Sequence, residues 1–230
     1  MHAAVAGLSL WFLAVPPPAA VEASPAPEAV VPLPAPRLEG RMSVEAALRQ
    51  RRSLRSFAPL PLSLEEVGQL CWAAQGVTDD KGHRTAPSAR ATYPLEVLVA
   101  AGNVAGLPAG LYRYLPARHA LRLVAPGDPR QDLERRAVSQ GWTSGAPVVV
   151  VLTGTLDRMT TSEDAAVRER SAHFMWVEAG LAAQGFFLEA TALGLGSTYV
   201  GGFRPGEARA VLGLAAEEEV LAILPVGRRP

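Results

Sequence analysis

The residues best suited to chemistry form a short basic segment, Arg51-Arg52-Ser53-Leu54-Arg55. Ser43, a good helix N-cap, predicts a helix that runs into this segment and stops before Pro59. Arg51 and Arg55 are four residues apart, so they share a face for as long as the helix lasts. Two guanidinium groups and a hydroxyl can hold a phosphate, because arginine donates bidentate hydrogen bonds to it. The alternative is a solvated basic helix end, where arginine stabilises the helix dipole.

Three other stretches can bring backbone amides or charge to a ligand. Pro87-Ser88-Ala89 lie in a small-residue loop that leads into a predicted strand, and an ordinary surface loop is the alternative. Tyr199-Val200-Gly201-Gly202 follow a predicted helix instead of preceding one, so they are no dinucleotide fingerprint. Their glycines still allow a close approach of backbone to a ligand. Arg228, near the carboxyl end, is either a further phosphate donor or part of a frayed basic tail.

The composition argues against several classes of site. The four histidines are scattered without ligand spacing, so no metal site is predicted. The single cysteine, Cys71, cannot form an intramolecular disulfide, and its apolar helical surroundings predict an inert core thiol. A net charge of zero argues against nucleic acid as the main partner. The chain also lacks a P-loop and a Gly-x-Ser-x-Gly nucleophile elbow.

The first 36 residues differ in composition from the rest. Ala6 to Val15 is an apolar run with the length of a signal-peptide core, too short for an integral membrane span. Val21-Glu22-Ala23 offers small residues for cleavage, but Met1 to Val5 carry no lysine or arginine. An exported, periplasmic protein and a cytoplasmic protein with a disordered leader both remain open. Residues 16–36 contain eight prolines and predict an extended linker before a folded domain at 37–230.

The folded domain mixes helical and strand patterns, which indicates an α+β class. Ser63-Leu64-Glu65-Glu66 is a capping box that opens one helix. A long apolar helix is predicted from about Ser162 to Leu193, and it belongs in a core or a subunit interface. The remaining predicted elements are strands at Leu95–Ala101, Pro147–Thr153 and Val220–Val226, a hairpin around His119, and helices at Asp128–Gln140 and Glu207–Leu212.

In this order, the stretches resemble the nitroreductase family of flavin enzymes over about residues 41 to 227. More narrowly, they look like its SagB/ThcOx-type branch, which contains dehydrogenases that oxidise azolines to azoles in modified peptides. The most specific match is Pro87-Ser88-Ala89-Arg90-Ala91-Thr92-Tyr93-Pro94-Leu95-Glu96, in which Arg90 replaces the branch's usual glycine. The hairpin from Leu111 to Leu121, the segment Glu178-Ala179-Gly180 and the loop Gly201-Gly202-Phe203 also match.

The resemblance implies a nitroreductase-like fold, with a central, mostly antiparallel sheet flanked by helices, in an intertwined homodimer with two FMN molecules at its interface. It places Arg51, Arg52 and Ser53 on the phosphate and ribityl side, and Arg55 near the flavin N1/O2 edge. It implies that Pro87 to Ala89 of one subunit contact the FMN held by the partner subunit. It also implies that a backbone amide near Gly201 donates to flavin N5. A guanidinium at Arg55 stays charged at any working pH and would stabilise reduced flavin.

The activity implied is hydride transfer from NAD(P)H through the flavin to a nitroaromatic, quinone or related small-molecule acceptor. Two alternatives are a flavin dehydrogenase acting on a peptide or small metabolite, and a non-catalytic flavin-binding scaffold. Azoline oxidases of the branch carry a Lys-Tyr pair where this chain has Ala166 and Val167. Neither residue is a base, so azole synthesis is not expected. Two alternatives remain open for Glu169: it substitutes as the base, or it pairs with Arg170 or Arg168.

Overall fold

The computed structural model describes residues 29–138 and 140–230, and most of its strands form one seven-stranded sheet. The strands are β1 (Val30–Pro32), β2 (Leu62–Ser63), β3 (Leu95–Ala101), β4 (Val104–Ala105), β5 (Gly110–Leu115), β6 (Ala120–Pro126), β7 (Val148–Thr155), β8 (Leu195–Ser197) and β9 (Glu218–Arg228). The sheet order is β1-β6-β5-β3-β7-β9-β8, with every pairing antiparallel, while β2 and β4 form a separate parallel pair. The predicted mostly antiparallel sheet is confirmed.

Five α-helices surround the sheet among the described residues. They are α1 (Val44–Gln50), α2 (Leu64–Gln75), α3 (Arg130–Asp132), α4 (Ala165–Ala192) and α5 (Pro205–Leu212), and a π-helical turn, Leu133–Val138, continues α3. Helices α2 and α4 cover one face of the sheet, and α5 with the π-helical turn covers the other. None of these helices has the length and hydropathy that crossing a bilayer requires.

The middle of the sheet is apolar on both faces, as the valine run predicts. In β7, Val148 and Val150 pack into the core under α2 and α4, whereas Val149 and Val151 pack into the core under α5. This alternation follows from the two-residue period of a strand. Because β7 lies between β3 and β9, both of its edges are paired and its backbone groups are satisfied.

Helix α2 confirms the capping-box prediction. The Ser63 amide donates to Glu66 Oε2 (2.8 Å), and the Glu66 amide donates to Ser63 Oγ (3.1 Å). Gly76 is the C-cap of the helix, and a side chain does not fit there because a Cβ would lie 2.1 Å from Cδ1 of Trp72. Cys71 is fully buried in this helix, and burial raises the pKa of its thiol to about 12. The thiol is therefore protonated at working pH, as expected of an inert core cysteine.

Two expectations about the amino-terminal part need revision. Helix α1 ends at Gln50, with Arg51 as its C-cap, so the prediction that Arg51 and Arg55 share a helix face is wrong. Val30–Pro32, inside the predicted linker, pair with β6 as an edge strand, so the sheet begins before residue 37. The predicted leader, residues 1–28, lies outside the described residues.

The predicted turn histidine is confirmed and has a structural role. His119 ends the turn between β5 and β6 in a left-handed conformation, with φ 42°. Its Nδ1 lies 2.9 Å from the Tyr114 hydroxyl, and its Nε2 donates to the carbonyl oxygen of Pro34 at 2.9 Å. Partial burial lowers the pKa of His119, which favours the neutral ring in these contacts. The hairpin thereby fixes the segment that follows β1.

Candidate functional site

The basic segment Arg51–Arg55 is extended and lies against β8. Ser53 forms a parallel bridge with Ser197, and the Leu54 amide donates to the carbonyl oxygen of Ser197 at 3.0 Å. Close approach depends on Gly196, where a Cβ would lie 2.2 Å from Cδ2 of Leu54. The side chains of the segment therefore project from a backbone that is fixed to the edge of the sheet.

The glycine-rich stretch leaves β8 directly beside this segment. The Val200 amide donates to the carbonyl oxygen of Ile223 at 2.9 Å, and the Tyr199 hydroxyl donates to that of Leu221 at 3.0 Å. These bonds anchor the start of the stretch to β9, while Gly201 and Gly202 remain exposed. The structure thus brings together two of the stretches that the sequence singles out, at the β8 edge of the sheet.

The loop before β7 also adjoins the basic segment and the glycine-rich stretch. The sequence patterns did not indicate this loop as part of the site. The guanidinium carbon of Arg55 lies 5.9 Å from the ring centroid of Trp142, a cation–π distance. A Cβ on Gly202 would lie 3.9 Å from Nε2 of Gln140, so the loop also adjoins the glycines. No local pattern in the sequence marks Trp142 as a site residue, because only the folded chain brings it over Arg55.

The positive charge of the basic segment is not neutralised within the described residues. Arg51 and Arg55 have no ion pair there, and Arg52 donates to two main-chain carbonyl oxygens, those of Arg49 (2.8 Å) and Arg51 (2.7 Å). The exposed hydroxyl of Ser53 has no hydrogen-bond partner among them either. Many other arginines do pair with carboxylates, namely Arg37, Arg113, Arg130, Arg135, Arg136, Arg158, Arg168 and Arg228. The segment is therefore a cationic surface suited to an anion.

Arg228 lies close to the basic segment but is already engaged. Its Nη1 is 2.7 Å from Glu66 Oε1, and its Nη2 donates to Glu66 Oε2 at 2.9 Å. Leu195 pairs with Arg228 across β8 and β9, and the Ala58 amide donates to the Arg228 carbonyl at 3.1 Å. Arg228 therefore joins the carboxyl-terminal strand to the start of α2, and Glu66 neutralises its charge.

The Pro87–Ala89 loop is held by α4 and not by the basic segment. The Ala89 amide donates to Oε1 of the buried Glu178 on α4 at 2.7 Å, and Nη2 of Arg90 donates to the carbonyl oxygen of Met159 at 2.9 Å. Among the described residues, the other hydrogen bonds of the loop run to the residues that follow it, Ala91, Thr92 and Tyr93. Within one described chain, therefore, no hydrogen bond joins this candidate stretch to the basic segment or to the glycine-rich stretch.

Ala166 and Val167 lie in the first turn of α4, and both are exposed. They line a cavity of about 370 Å³ that also contacts the Pro87–Ala89 loop. Arg168 pairs with Asp157 at 3.1 Å, while Glu169 has no ion pair among the described residues. Of the two alternatives for Glu169, the ion pair with Arg168 or Arg170 is therefore absent among the described residues. Glu169 is not one of the described residues that line the cavity, and these include no carboxylate and no histidine.

Comparison with known proteins gives matches over most of the chain. The sequence model of the nitroreductase family matches residues 48–228. A candidate nitroreductase of Methanocaldococcus jannaschii is 36% identical over 188 residues, which cover 82% of this chain and 92% of that protein. A crystal structure of a candidate nitroreductase from Ralstonia eutropha is 32% identical with a TM-score of 0.73, covering 87% of this chain and 90% of the other.

A third similar structure is a chain of the Escherichia coli microcin synthetase McbBCD complex with truncated pro-MccB17 bound. It is 24% identical with a TM-score of 0.68 and covers 79% of this chain and 70% of the other. At this identity the likeness shows the shared fold alone. It carries neither an activity nor a branch assignment over to this chain.

Proposed function

Since this chain belongs to the nitroreductase family, we propose that it is an FMN-dependent oxidoreductase that takes hydride from NAD(P)H and reduces a nitroaromatic, a quinone or a related acceptor. The observation that carries the proposal is the basic segment Arg51–Arg55. It lies along β8 beside the exposed Gly201 and Gly202, and no carboxylate of the described residues neutralises its charge. Arginine side chains suit the phosphate of a flavin mononucleotide, and an accessible backbone loop can hydrogen-bond and tune its ring.

The residues present fit this cofactor. Arg51 and Arg52, with the hydroxyl of Ser53, offer a phosphate several donors for which no carboxylate of the described residues competes. Arg229 also lies at this edge without an ion pair among the described residues, and it donates to the carbonyl oxygen of Leu195 at 3.3 Å. FMN is proposed over FAD because the sequence has no dinucleotide fingerprint for a pyrophosphate. Arg228 could donate to the phosphate only by giving up its ion pair with Glu66.

Bound FMN would accept hydride and release it again at N5, so the protein itself needs no nucleophile. The residues of the chain hold and tune the cofactor. Arg55 supplies a permanent positive charge, and the contact with Trp142 orients its guanidinium. The exposed backbone at Gly201, next to the anchored Tyr199 and Val200, offers an amide that can donate to the flavin.

We also propose that the working form is a homodimer. Besides Val167 and Phe174, which line the cavity beside Ala166, helix α4 exposes three large apolar side chains: Trp176 at 42%, Val177 at 48% and Leu181 at 45%. Monomeric soluble proteins seldom leave such a patch exposed, so a second copy of the chain is its proposed cover. The Pro87–Ala89 loop is bound to α4 in the same subunit, and a dimer formed through α4 would present it to the partner's cofactor.

The activity is tested by steady-state oxidation of NADH and NADPH with 4-nitrobenzyl alcohol, a neutral nitroaromatic, as acceptor. Conversion of a nitro group to a nitroso group consumes one NAD(P)H and one proton and releases one water. We expect nicotinamide oxidation that depends on the acceptor and saturates with its concentration. Flavin-containing protein that oxidises neither nicotinamide would instead support the scaffold alternative.

The azoline-dehydrogenase alternative predicts a different product. Azoline oxidation removes a proton from carbon as hydride leaves, so a base must lie at the substrate. Ala166 and Val167 supply none, and no described residue brings a carboxylate or imidazole to the cavity they line. We therefore expect no two-hydrogen mass loss from a thiazoline peptide, measured by mass spectrometry under conditions in which NAD(P)H is oxidised. Robust formation of thiazole would replace the nitroreductase-type proposal with the dehydrogenase one.

A further inference from the structure

The cavity beside Ala166 and Val167 has the size of a small-molecule site and a mixed lining. Its volume is about 370 Å³, within the range of ligand pockets. The apolar part of the wall is made by Met159, Val167 and Phe174, and the cationic part by Arg90 and Arg170. Because no acidic side chain of the described residues lines it, the charge of this lining is positive.

Two polar groups of the cavity are free to bind a ligand. Arg170 makes no ion pair or hydrogen bond with any described residue. Ser171 is 5% exposed, and its hydroxyl has no hydrogen-bond partner in the described part of the chain. The hydroxyl oxygen itself is accessible to solvent, so an acceptor bound in the cavity can receive its hydrogen bond. The two groups are adjacent on α4 and line the same cavity.

Arg90 reaches the cavity from a strained backbone. It has φ 55° and ψ 22°, in the left-handed region, and Ala91 and Tyr93 also have positive φ, 54° and 46°. Glycine, which the resembled branch carries at this position, adopts this conformation without the steric penalty. One N–H of Arg90 donates to Met159 at 2.9 Å, and that bond holds the guanidinium at the cavity wall with further donors to spare.

We propose that this cavity binds an aromatic carboxylate, with the carboxylate on Arg170, Ser171 and Arg90 and the ring against Phe174 and Val167. The inference rests on the proposed function, because it names anionic nitroaromatics as the preferred acceptor class. Guanidinium groups match a carboxylate bidentately, and the apolar wall covers a ring of that size. The strain at Arg90 is then the cost of placing a second cation in the site.

The test is calorimetric titration of the purified holoprotein with benzoate and with benzyl alcohol, which has a similar shape and no charge. No nicotinamide is present, so binding is measured whether or not the protein turns over any acceptor. We expect benzoate to bind at least about tenfold more tightly than benzyl alcohol, the size of one charged hydrogen bond. In turnover, 4-nitrobenzoate should have a KM lower than 4-nitrobenzyl alcohol by about the same factor.

Three variants localise the binding. Arg170→Gln and Arg90→Gly should each remove most of the preference for benzoate, and Arg90→Gly should also unfold at no lower temperature, because glycine relieves the strain. Arg118→Gln, at the turn between β5 and β6, should leave the preference unchanged. Equal binding of the two ligands, absence of benzoate binding, or an unchanged preference in both cavity variants would overturn the proposal. Turnover of neutral nitroaromatics without such a preference would overturn it while leaving the proposed oxidoreductase intact.

Discussion

Arg51→Ala is expected to weaken FMN binding by about 1.5–3 kcal/mol, the cost of losing a hydrogen bond to a charged group. The corresponding loss in affinity is roughly 10- to 150-fold. No carboxylate of the described residues pairs with the Arg51 guanidinium, which leaves it available to the phosphate. The backbone N–H of Arg51 caps α1 by donating to the carbonyl oxygen of Ala47 at 2.9 Å. Because alanine keeps that backbone bond, the fold should persist while the phosphate loses a donor. Fluorescence titration of the apoprotein with FMN measures the effect.

The matched control is Arg118→Ala, which removes an arginine from the turn after β5. It changes the net charge by the same amount, so a general electrostatic effect on an anionic cofactor would appear in both variants. We expect the control to bind FMN like the parent chain. Equal affinity in Arg51→Ala and the parent would remove Arg51 from the site, and equal weakening in both variants would assign the effect to net charge.

Gly180→Glu is expected to abolish both the dimer and stoichiometric FMN binding. Gly180 lies on α4 between Val177 and Leu181, and a Cβ on it meets nothing within 4 Å in the single chain. Glutamate also has a better helix propensity than glycine, so the isolated subunit should not be destabilised. Any loss of assembly must therefore come from a buried charge in the interface. Light scattering should fall from about twice the 24.2 kDa chain mass, less any cleaved leader, to one chain mass.

Gly206→Glu supplies the control for that substitution. Gly206 is an exposed helical glycine in α5, and a Cβ on it would likewise meet nothing within 4 Å. The added charge is therefore the same, and glutamate in the first turn of α5 is favoured by the helix dipole, so this variant should fold. This variant should remain dimeric and yellow. A Gly180→Glu protein that stays dimeric, or one that is monomeric yet keeps one FMN per chain, would contradict the proposed interface.

Local patterns were enough to predict much of the fold. The capping box of α2 acts within four residues, and the strands at Leu95–Ala101 and Val148–Thr155 follow from runs of apolar, β-branched residues. The period of these patterns depends on neighbouring residues alone, so it can be read without knowing the tertiary contacts. The long helix was also placed correctly, although its outward apolar face became visible only when its packing against the sheet was known.

The geometry of the candidate site could not be predicted from local patterns, because residues far apart in the sequence determine it. The helix before Arg51 stops early because Ser53 and Leu54 pair with Ser197 on β8. Arg228 meets Glu66 across 162 residues of sequence, so a tail arginine becomes part of a structural ion pair. Trp142 over Arg55 and the strained Arg90 beside Arg170 are likewise products of tertiary structure. A resemblance in sequence locates such residues, but their partners follow only from the folded chain.

The central claim is that Arg51–Arg55 and the adjoining glycine loop hold FMN. Chromatography of the cofactor that heat releases from the purified protein tests it most directly. We expect a yellow protein that releases FMN at about one molecule per chain, because Arg51, Arg52 and Ser53 at the β8 edge offer donors to one phosphate. Release of FAD, or a colourless protein that fails to take up added FMN, would contradict it.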